Sequence, residues 1–400
     1  MSKTHRDLAR MERAAVEVDG EFCIPQLEDE VRHHLDLGPI LGAIPRPASY
    51  FLKKALLFVP AMFLFILAIQ IMKAGASAVG PSIEGQFPFA NPGSTLGTGW
   101  LGAYFVLSGS PVAATTISLF GAGSITKLET LTMLSGSRLG ASFIVLVTGF
   151  LYAVRHKKSK GQGVGIGIQA MTMTAVQYLP GMLLAFFLLR GGMLDGVNWH
   201  SSEELDAILS KLWGPIVDAA KDHLPGWGLF LAGLGTILVS FNLLDRVLPH
   251  VDSDSTASKR SSWLKHPWTM FFLGCLVATL TLSVSVALTV LVPLAVKGYV
   301  KRDEALPYIM GANITTLADT LVVAMLQPTP DAARIVLAEA IGVSIVSLII
   351  LALFYRPVKR NVLGFGDWLV ASNARLGGFV ALLFLVPILA IASGLVWTYP

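Results

Sequence analysis

The chain has 400 residues, of which 54% are hydrophobic and only 14% are charged, whereas about a quarter of the residues in a soluble domain are charged. This composition excludes an ordinary soluble enzyme and indicates a protein of the lipid bilayer. The formal net charge of +4 does not indicate nucleic-acid binding, because basic residues in a membrane protein mark cytoplasmic loops.

Residues 1–50 predict a cytosolic N-terminal tail, because they are rich in charge and contain no apolar run of the kind found in a secretory signal. The first membrane span is predicted at Ala55–Met72. The following segment, Ala74–Leu96, contains no Lys or Arg and is therefore expected outside the cell.

Residues Gly97–Ile125 cannot form a single crossing in this topology. They would leave from the outside and return to it, because the next span, Leu131–Val154, ends at a basic segment expected inside. A re-entrant helical hairpin satisfies this requirement.

The second half of the chain predicts another hairpin on grounds of length. Residues His266–Val296 are 31 residues without a Lys, Arg, Asp or Glu, about 46 Å as one helix. That length exceeds a hydrocarbon core of about 30 Å but falls short of two full crossings. Further spans are predicted at Gly228–Val247, at Ile335–Leu353 and at Gly377–Trp397.

A shift of 175 residues aligns the two hairpins without gaps. The shift aligns Leu107 with Leu282, and it also aligns identical polar and glycine residues: Ser108 with Ser283, Ser110 with Ser285, Glu129 with Glu304, and Gly136 with Gly311. The loop charges orient the two copies oppositely, which is the inverted repeat of secondary transporters, with a site at the repeat interface near the midplane.

The predicted fold is an all-α integral membrane protein with two inverted-topology repeats, each with a re-entrant hairpin, plus an extra C-terminal helix. Its predicted parts are the cytosolic tail (1–50), repeat 1 (51–195), an external loop (196–225), repeat 2 (226–355), and a basic cytosolic loop with the last helix (356–400). The protein is expected to be multi-pass in the cell membrane with a cytoplasmic N-terminus.

Each repeat carries hydroxyl side chains in its hairpin and a glycine-bearing break about 26 residues later. The breaks are Gly136–Ser142 and Gly311–Thr316. Hydroxyl and carbonyl oxygens suit a hard cation, and the exposed N–H groups of half-helices suit an anion. The alternative is that these Ser and Thr side chains bond their own helix carbonyls.

Three ionisable residues inside predicted spans each allow more than one interpretation. Arg138 could bind an oxyanion or replace a coupling cation, or it could be a structural partner of a carboxylate or of carbonyls. Asp319 could bind a cation or pair with Arg138. Glu339, expected near the outer end of its span, could be a satisfied or snorkelling side chain or a proton carrier. Glu129 and Glu304 are expected to cap helices or lie at the surface.

The second repeat resembles the sodium/phosphate cotransporter family, type II and its bacterial relatives. The stretch Ala305–Ile314 reads A-L-P-Y-I-M-G-A-N-I, as in that family, at the family's gapless spacing from the hairpin. The chain departs from the family's Q-S-S-S hairpin motif, because Leu107 and Leu282 stand at the Gln positions. Arg138 stands at the Asn position of the first repeat, and Thr315 replaces a Gly.

The resemblance implies an all-helical transporter that takes up inorganic phosphate with sodium. The residues expected to contact the anion are Ser108, Gly109, Ser110, Ser137, Arg138, Ser283, Ser285 and Asn313. The residues expected to contact the cation are Thr115, Thr116, Thr289, Thr315, Thr316 and Asp319.

The predicted function is sodium-coupled symport of phosphate or a related oxyanion by alternating access. The expected partners are therefore a small inorganic anion, sodium and the bilayer, with no cofactor. A passive anion channel and a non-transporting membrane sensor on the same scaffold are the alternatives. An enzyme is not expected, since no nucleophile and acid/base constellation is found.

Overall fold

The computed structural model describes residues 16–18, 21–23, 48–83, 89–155, 160–247, 266–281, 284–296 and 300–396. The chain divides into residues 1–52 and residues 53–400. In the first unit, strands β1 (Val16–Val18) and β2 (Glu21–Cys23) pair antiparallel, with Val16 opposite Cys23. Residues 1–15 and 24–47 of the predicted tail lie outside the described residues.

Helices account for the regular structure of the described residues from 48 onward. The first eight are α1 (Ala48–Ile83), α2 (Pro92–Val106), α3 (Gly109–Gly121), α4 (Lys127–Ala141), α5 (Phe143–Arg155), α6 (Lys160–Arg190), α7 (Glu203–His223) and α8 (Gly226–Val247). Next along the chain come α9 (Pro267–Thr281), α10 (Val284–Thr289), α11 (Leu291–Val296), α12 (Arg302–Thr315) and α13 (Leu317–Met325). The last are α14 (Pro330–Ile349), a π-helical segment (Ile350–Phe354), α15 (Tyr355–Val370) and α16 (Asn373–Val396).

Six helical segments among the described residues are long and apolar enough to cross a membrane. They are Phe58–Val79, Lys127–Leu151, Gly163–Arg190, Arg302–Met325, Pro330–Val370 and Asn373–Val396. The predicted class, an all-α multi-pass membrane protein, is thereby confirmed.

The first predicted hairpin is two short helices joined at Leu107 and Ser108. Helix α2 begins with a capping box between Asn91 and Ser94, followed by Pro92, which suits a first helical turn. It ends at Leu107, whose φ of 56° is the left-handed conformation that reverses a chain. Helices α2 and α3 are about 22 and 20 Å long, too short to cross a core of about 30 Å.

Two pairs of helices, one member in each half, begin 175 residues apart. Helix α2 starts at Pro92 and α9 at Pro267, while α4 starts at Lys127 and α12 at Arg302. Glu129 and Glu304 accept hydrogen bonds from the backbone N–H groups of the N-cap residues Thr126 and Lys301, so the expectation that they cap helices is confirmed. The inverted orientation of the halves stays a prediction.

Glycines place the helix pairs in contact at the same spacing. A Cβ atom on Gly99 or Gly274 would lie closer than 3.0 Å to the carbonyl oxygen of Met133 or Tyr308, respectively. Gly136 and Gly311 approach the carbonyl oxygens of Leu96 and Phe271 in the same way. The backbones of α2 and α4, and of α9 and α12, therefore pack together without an intervening side chain, as small residues allow in membrane helices.

The two helix breaks are shorter than the sequence predicted, because each is confined to a single residue. Gly136 and Gly311 lie inside the regular helices α4 and α12, and the helices change at Ser142 and Thr316. Both of these residues keep right-handed helical angles, with φ of −71° and −67°. The expectation of an unwound, carbonyl-exposing stretch is therefore wrong, because the glycines are used for helix packing.

Three segments predicted as loops contain helix. Helix α1 continues to Ile83, so the predicted loop Ala74–Leu96 is helical over its first part. The predicted external loop contains α7, an amphipathic helix that buries Leu209, Trp213 and Val217 against α1 and α8. The predicted cytosolic loop after residue 356 is α15, which follows α14 through the π-helical segment.

Helix α6 occupies the centre of the second unit. It packs against α4, α5, α12, α14 and α15. Its residues Ile166, Ala170, Met173 and Tyr178 are almost completely buried. This position brings polar groups from both halves of the chain to its surface.

Candidate functional site

An ion pair lies in the interior of the helical unit. Arg138 on α4 is 3.4 Å from the Oδ1 atom of Asp319 on α13, and the two side chains are 3% and 8% exposed. The guanidinium also donates to the hydroxyl of Thr320, which in turn donates to Asp319 Oδ1 at 3.0 Å. The pairing that the sequence analysis considered for these two residues is therefore present.

The ion pair leaves polar atoms without partners. Arg138 Nε and Asp319 Oδ2 are buried and make no hydrogen bond. Buried polar atoms are normally satisfied, so an unpartnered donor and an unpartnered acceptor within one ion pair indicate a place where ligands could bind. The donor would suit an oxyanion, and the acceptor would suit a cation.

A second carboxylate lies close to this pair. Glu339 on α14 is 0% exposed, and its Oε1 atom accepts a hydrogen bond of 2.5 Å from Ser135 on α4. Its Oε2 atom is buried without a partner, and its hydrogen-bond donor Ser135 lies one helical turn before Arg138 on α4. We refer to Arg138, Asp319 and Glu339 as the charged cluster.

The position of Glu339 corrects one expectation. The residue is the tenth of twenty in α14 and is fully buried, so it neither lies at the end of the helix nor snorkels to the surface. The α14 helix turns this side chain toward α4, since the positions four residues to either side, Ile335 and Val343, are buried as well.

Asn313 belongs to a different polar network. Its amide nitrogen donates to Thr174 at 3.0 Å and to Gln177 at 2.8 Å, both on α6. Gln177 in turn donates to Ser347 and to the carbonyl of Met310, and Tyr178 donates to the carbonyl of Asn313. Both hydrogens of the Asn313 amide are thus used within the protein.

The predicted threonine ligands bond within their own helices. The hydroxyls of Thr115 and Thr116 donate to Pro111 and Val112 of α3, and those of Thr315 and Thr316 donate to carbonyls of α12. The alternative, that these hydroxyl groups donate their hydrogens to carbonyls of their own helix, is therefore correct for these four residues. Each hydroxyl oxygen keeps lone pairs, so donation to a carbonyl does not prevent coordination of a cation.

The tip of the first hairpin packs against α4 beside Arg138. A Cβ atom on Gly109 would lie 2.8 Å from the carbonyl oxygen of Ser137, so only glycine permits this approach. Ser110 is buried next to it, Ser108 is half-buried, and Ser137 donates to the carbonyl of Leu134. The structure therefore places Gly109 against α4 at Ser137, the residue before Arg138, and the roles predicted for Ser108, Ser110 and Ser137 stay predictions.

The second hairpin is placed less completely. Ser283 lies outside the described residues, and Ser285 is described only as part of α10. Thr289 is half-buried at the end of that helix. Their predicted roles stay predictions.

Sequence reasoning missed several polar residues that the structure gathers in the interior. They are Ser135, Thr174, Gln177, Tyr178, Thr320 and Ser347. A signal was available for three of them, since Thr174, Gln177 and Tyr178 lie at i, i+3 and i+4 on one face of an apolar helix.

No group of three or more His, Cys, Asp or Glu side chains comes together in the described part of the chain. A sodium ion bound here would therefore need hydroxyl or carbonyl oxygens in addition to a carboxylate such as Asp319. Oxygen-only coordination of this kind is what hard cations prefer.

Comparison with known proteins gives one family. The family model described as Na+/Pi-cotransporter matches residues 236–373, from within α8 to the start of α16. No curated protein and no solved structure matches the chain. The matched segment contains the second hairpin, Asn313 and the carboxylates of the charged cluster, so this part of the chain is similar to the Na+/Pi-cotransporter family, a family of transporters.

Proposed function

We propose that the protein carries inorganic phosphate or a related oxyanion across the membrane, driven by sodium, by alternating access around the charged cluster. The observation that supports this proposal best is the buried pair of Arg138 and Asp319, with one donor and one acceptor unused. The match of residues 236–373 to the family model described as Na+/Pi-cotransporter supports the choice of ions.

The energetics of the pair favour a functional role over a stabilising one. Burying a guanidinium and a carboxylate costs several kcal/mol per ion, and Coulomb attraction offsets this only when the geometry is excellent. Here the N–O distance is 3.4 Å and two polar atoms are left unpartnered. Ionisable residues retained at membrane depth under these conditions usually belong to a transport pathway.

Arg138 is the proposed anion contact. A guanidinium binds oxyanions through parallel N–H donors, and Nε is available for such a bond. Gly109 and Ser110 at the hairpin tip lie beside the same part of α4, so they would complete the anion site with backbone N–H groups and a hydroxyl.

Asp319 is the proposed cation contact, through its unpartnered Oδ2 atom. Thr315 and Thr316 lie three and four residues before Asp319, and their hydroxyl oxygens retain lone pairs. This arrangement would hold sodium next to the bound anion, so that each ion compensates the charge of the other.

The proposed topology has the N-terminus and the basic segments 155–160, 258–260 and 356–360 in the cytoplasm. It orients the two 175-residue repeats in opposite directions, which would place the charged cluster between them, as in other secondary transporters.

Transport by purified protein in sealed vesicles tests the function. Vesicles loaded without phosphate are given labelled phosphate, with or without an inward sodium gradient. Uphill uptake that collapses when sodium is replaced by potassium is the expected result. Phosphate flux that only runs down its own gradient and does not depend on sodium would instead indicate a passive anion channel. If the protein shows neither uptake nor flux, the non-transporting sensor is the remaining alternative.

Asp319→Asn provides the residue-level arm of this experiment, with Asp367→Asn as its matched control, because Asp367 is an exposed carboxylate paired with Arg302. The control should keep sodium-driven uptake, whereas Asp319→Asn should lose its dependence on sodium.

A further inference from the structure

Glu339 is the one member of the charged cluster that the proposed symport of sodium and anion does not use. Its carboxylate is fully buried, accepts one hydrogen bond from Ser135, and leaves Oε2 without a partner. A buried carboxylate with an unused oxygen is expensive when ionised. The same oxygen is a ready acceptor for a proton.

The surroundings of Glu339 contain one cation, which is already committed. Helix α4 presents Ser135 and Arg138, and Arg138 is bound to Asp319 and Thr320. Within the described residues, no salt bridge joins Glu339 to a basic side chain.

Among the described residues, the other helices packed against α14 offer no further positive charge to Glu339. Helix α6 presents Tyr178, whose hydroxyl donates to Asn313, and α13 presents Asp319. Helix α3 contains no titratable residue. The charged residues of α12 are in its first turn, and Tyr308 donates to Ala287.

The charges of the cluster do not balance when all three groups are ionised. One guanidinium faces two carboxylates, so the cluster then carries a single excess negative charge in a low-dielectric interior. One proton on Glu339 neutralises it. Uncompensated charge at this depth is unfavourable, so the balance favours uptake of one proton.

We propose that Glu339, held by Ser135, is a proton-binding site coupled to oxyanion binding at Arg138. A proton from water forms an O–H bond with Oε2 on one side of the membrane, and the same bond breaks on the other side. No electron is transferred. The protonated carboxyl becomes a donor through Oε2 while Oε1 continues to accept from Ser135.

The coupling has a definite sign. With Glu339 ionised, its negative charge offsets part of the attraction that Arg138 exerts on an anion. Protonation removes this charge, so oxyanion binding strengthens as the pH falls. By linkage, a bound oxyanion strengthens proton binding at Glu339 by the same factor. Only this coupling rests on the proposed function, because the proton site itself is independent of sodium and of the transported ion.

Infrared spectroscopy of the purified protein tests the proton site directly. The carbonyl stretch of a protonated carboxyl group should be present at neutral pH and disappear as the pH is raised. Glu339→Gln should delete this band, and Glu204→Gln, which changes an exposed glutamate, should keep it. Ser135→Ala should shift the band to higher frequency, because it removes the hydrogen bond to Oε1.

Binding of inorganic phosphate at several pH values tests the coupling. Phosphate itself titrates, but its titration affects every variant equally, so the difference between wild type and Glu339→Gln reports the carboxyl group. The wild type should gain several-fold more affinity on acidification than Glu339→Gln does. Since glutamine imitates the neutral carboxyl, this variant should bind phosphate about as well as the protonated wild type.

The results separate the two proposals. The proton site would be overturned if the carboxyl band persists in Glu339→Gln. It would also be overturned if Glu339 gives only the carboxylate signal and Ser135→Ala causes no shift. Both conclusions hold even if sodium drives phosphate uptake. A titrating band that disappears in Glu339→Gln, in a protein that binds no oxyanion, would uphold the proton site and contradict the proposed function.

Discussion

Arg138 and Asn313 occupy equivalent positions 175 residues apart, and each donates its side-chain hydrogen bonds to the other half of the chain. Arg138 on α4 reaches Asp319 and Thr320 on α13. Asn313 on α12 reaches Thr174 and Gln177 on α6. Asn313 therefore belongs to a neutral network with both amide hydrogens bonded, whereas Arg138 belongs to a charged network with unpartnered atoms. The two halves differ in chemistry at this equivalent position.

Replacement of Arg138 by Gln should abolish oxyanion binding and destabilise the fold by about 3–5 kcal/mol, because it leaves Asp319 buried without a cation. Calorimetric binding of phosphate and thermal unfolding in detergent measure the two effects. The double variant Arg138→Gln with Asp319→Asn should recover most of the stability but no binding. Full phosphate affinity in this double variant would show that Arg138 does not contact the anion.

Replacement of Asp319 by Asn should change the dependence of phosphate binding on sodium more than the affinity at saturating sodium. The variant keeps a carbonyl oxygen toward Thr320 but loses the charge that would attract the cation. Phosphate affinity measured over a series of sodium concentrations checks this. An unchanged sodium dependence would remove Asp319 from the cation site and leave it as the structural partner of Arg138.

Replacement of Asn313 by Ala should destabilise the protein by about 1–3 kcal/mol, because Gln177 loses the donor to its Oε1 atom in a fully buried position. Thermal unfolding in detergent measures this loss. Thr279→Ala, which removes an exposed hydroxyl bonded to its own helix, is the control and should change the midpoint little. Equal effects of the two variants would mean that the Asn313 network contributes nothing beyond helix formation.

Replacement of Gly99 or Gly274 by Ala should each destabilise the fold by about 1–3 kcal/mol or more, because the new Cβ atom would collide with a backbone carbonyl of the partner helix. The two variants should behave alike, since they occupy equivalent positions. Gly377→Ala, in a helix where the Cβ atom meets open space, should stay within about 1 kcal/mol of wild type. Thermal unfolding in detergent compares the three, and tolerance of both clashing variants would contradict the close packing of α2 on α4 and of α9 on α12.

The sequence by itself determined the membrane class, the approximate helices, the short helix pair around Leu107 and the 175-residue spacing of helix starts. These features depend on the length of apolar runs, on capping residues and on glycine positions, all of which act locally. It also identified Arg138 and Asp319 as unusual, because charge inside an apolar span stands out without a structure.

Only the tertiary structure decided which polar groups meet. Ser135 and Glu339 are 204 residues apart, and Asn313 and Thr174 are 139 residues apart. Such contacts depend on how each helix is rotated about its axis and on which helices pack together. The sequence leaves that rotation open where a helix is apolar on all sides, and glycine-mediated packing of α4 and α12 fixes it in the fold.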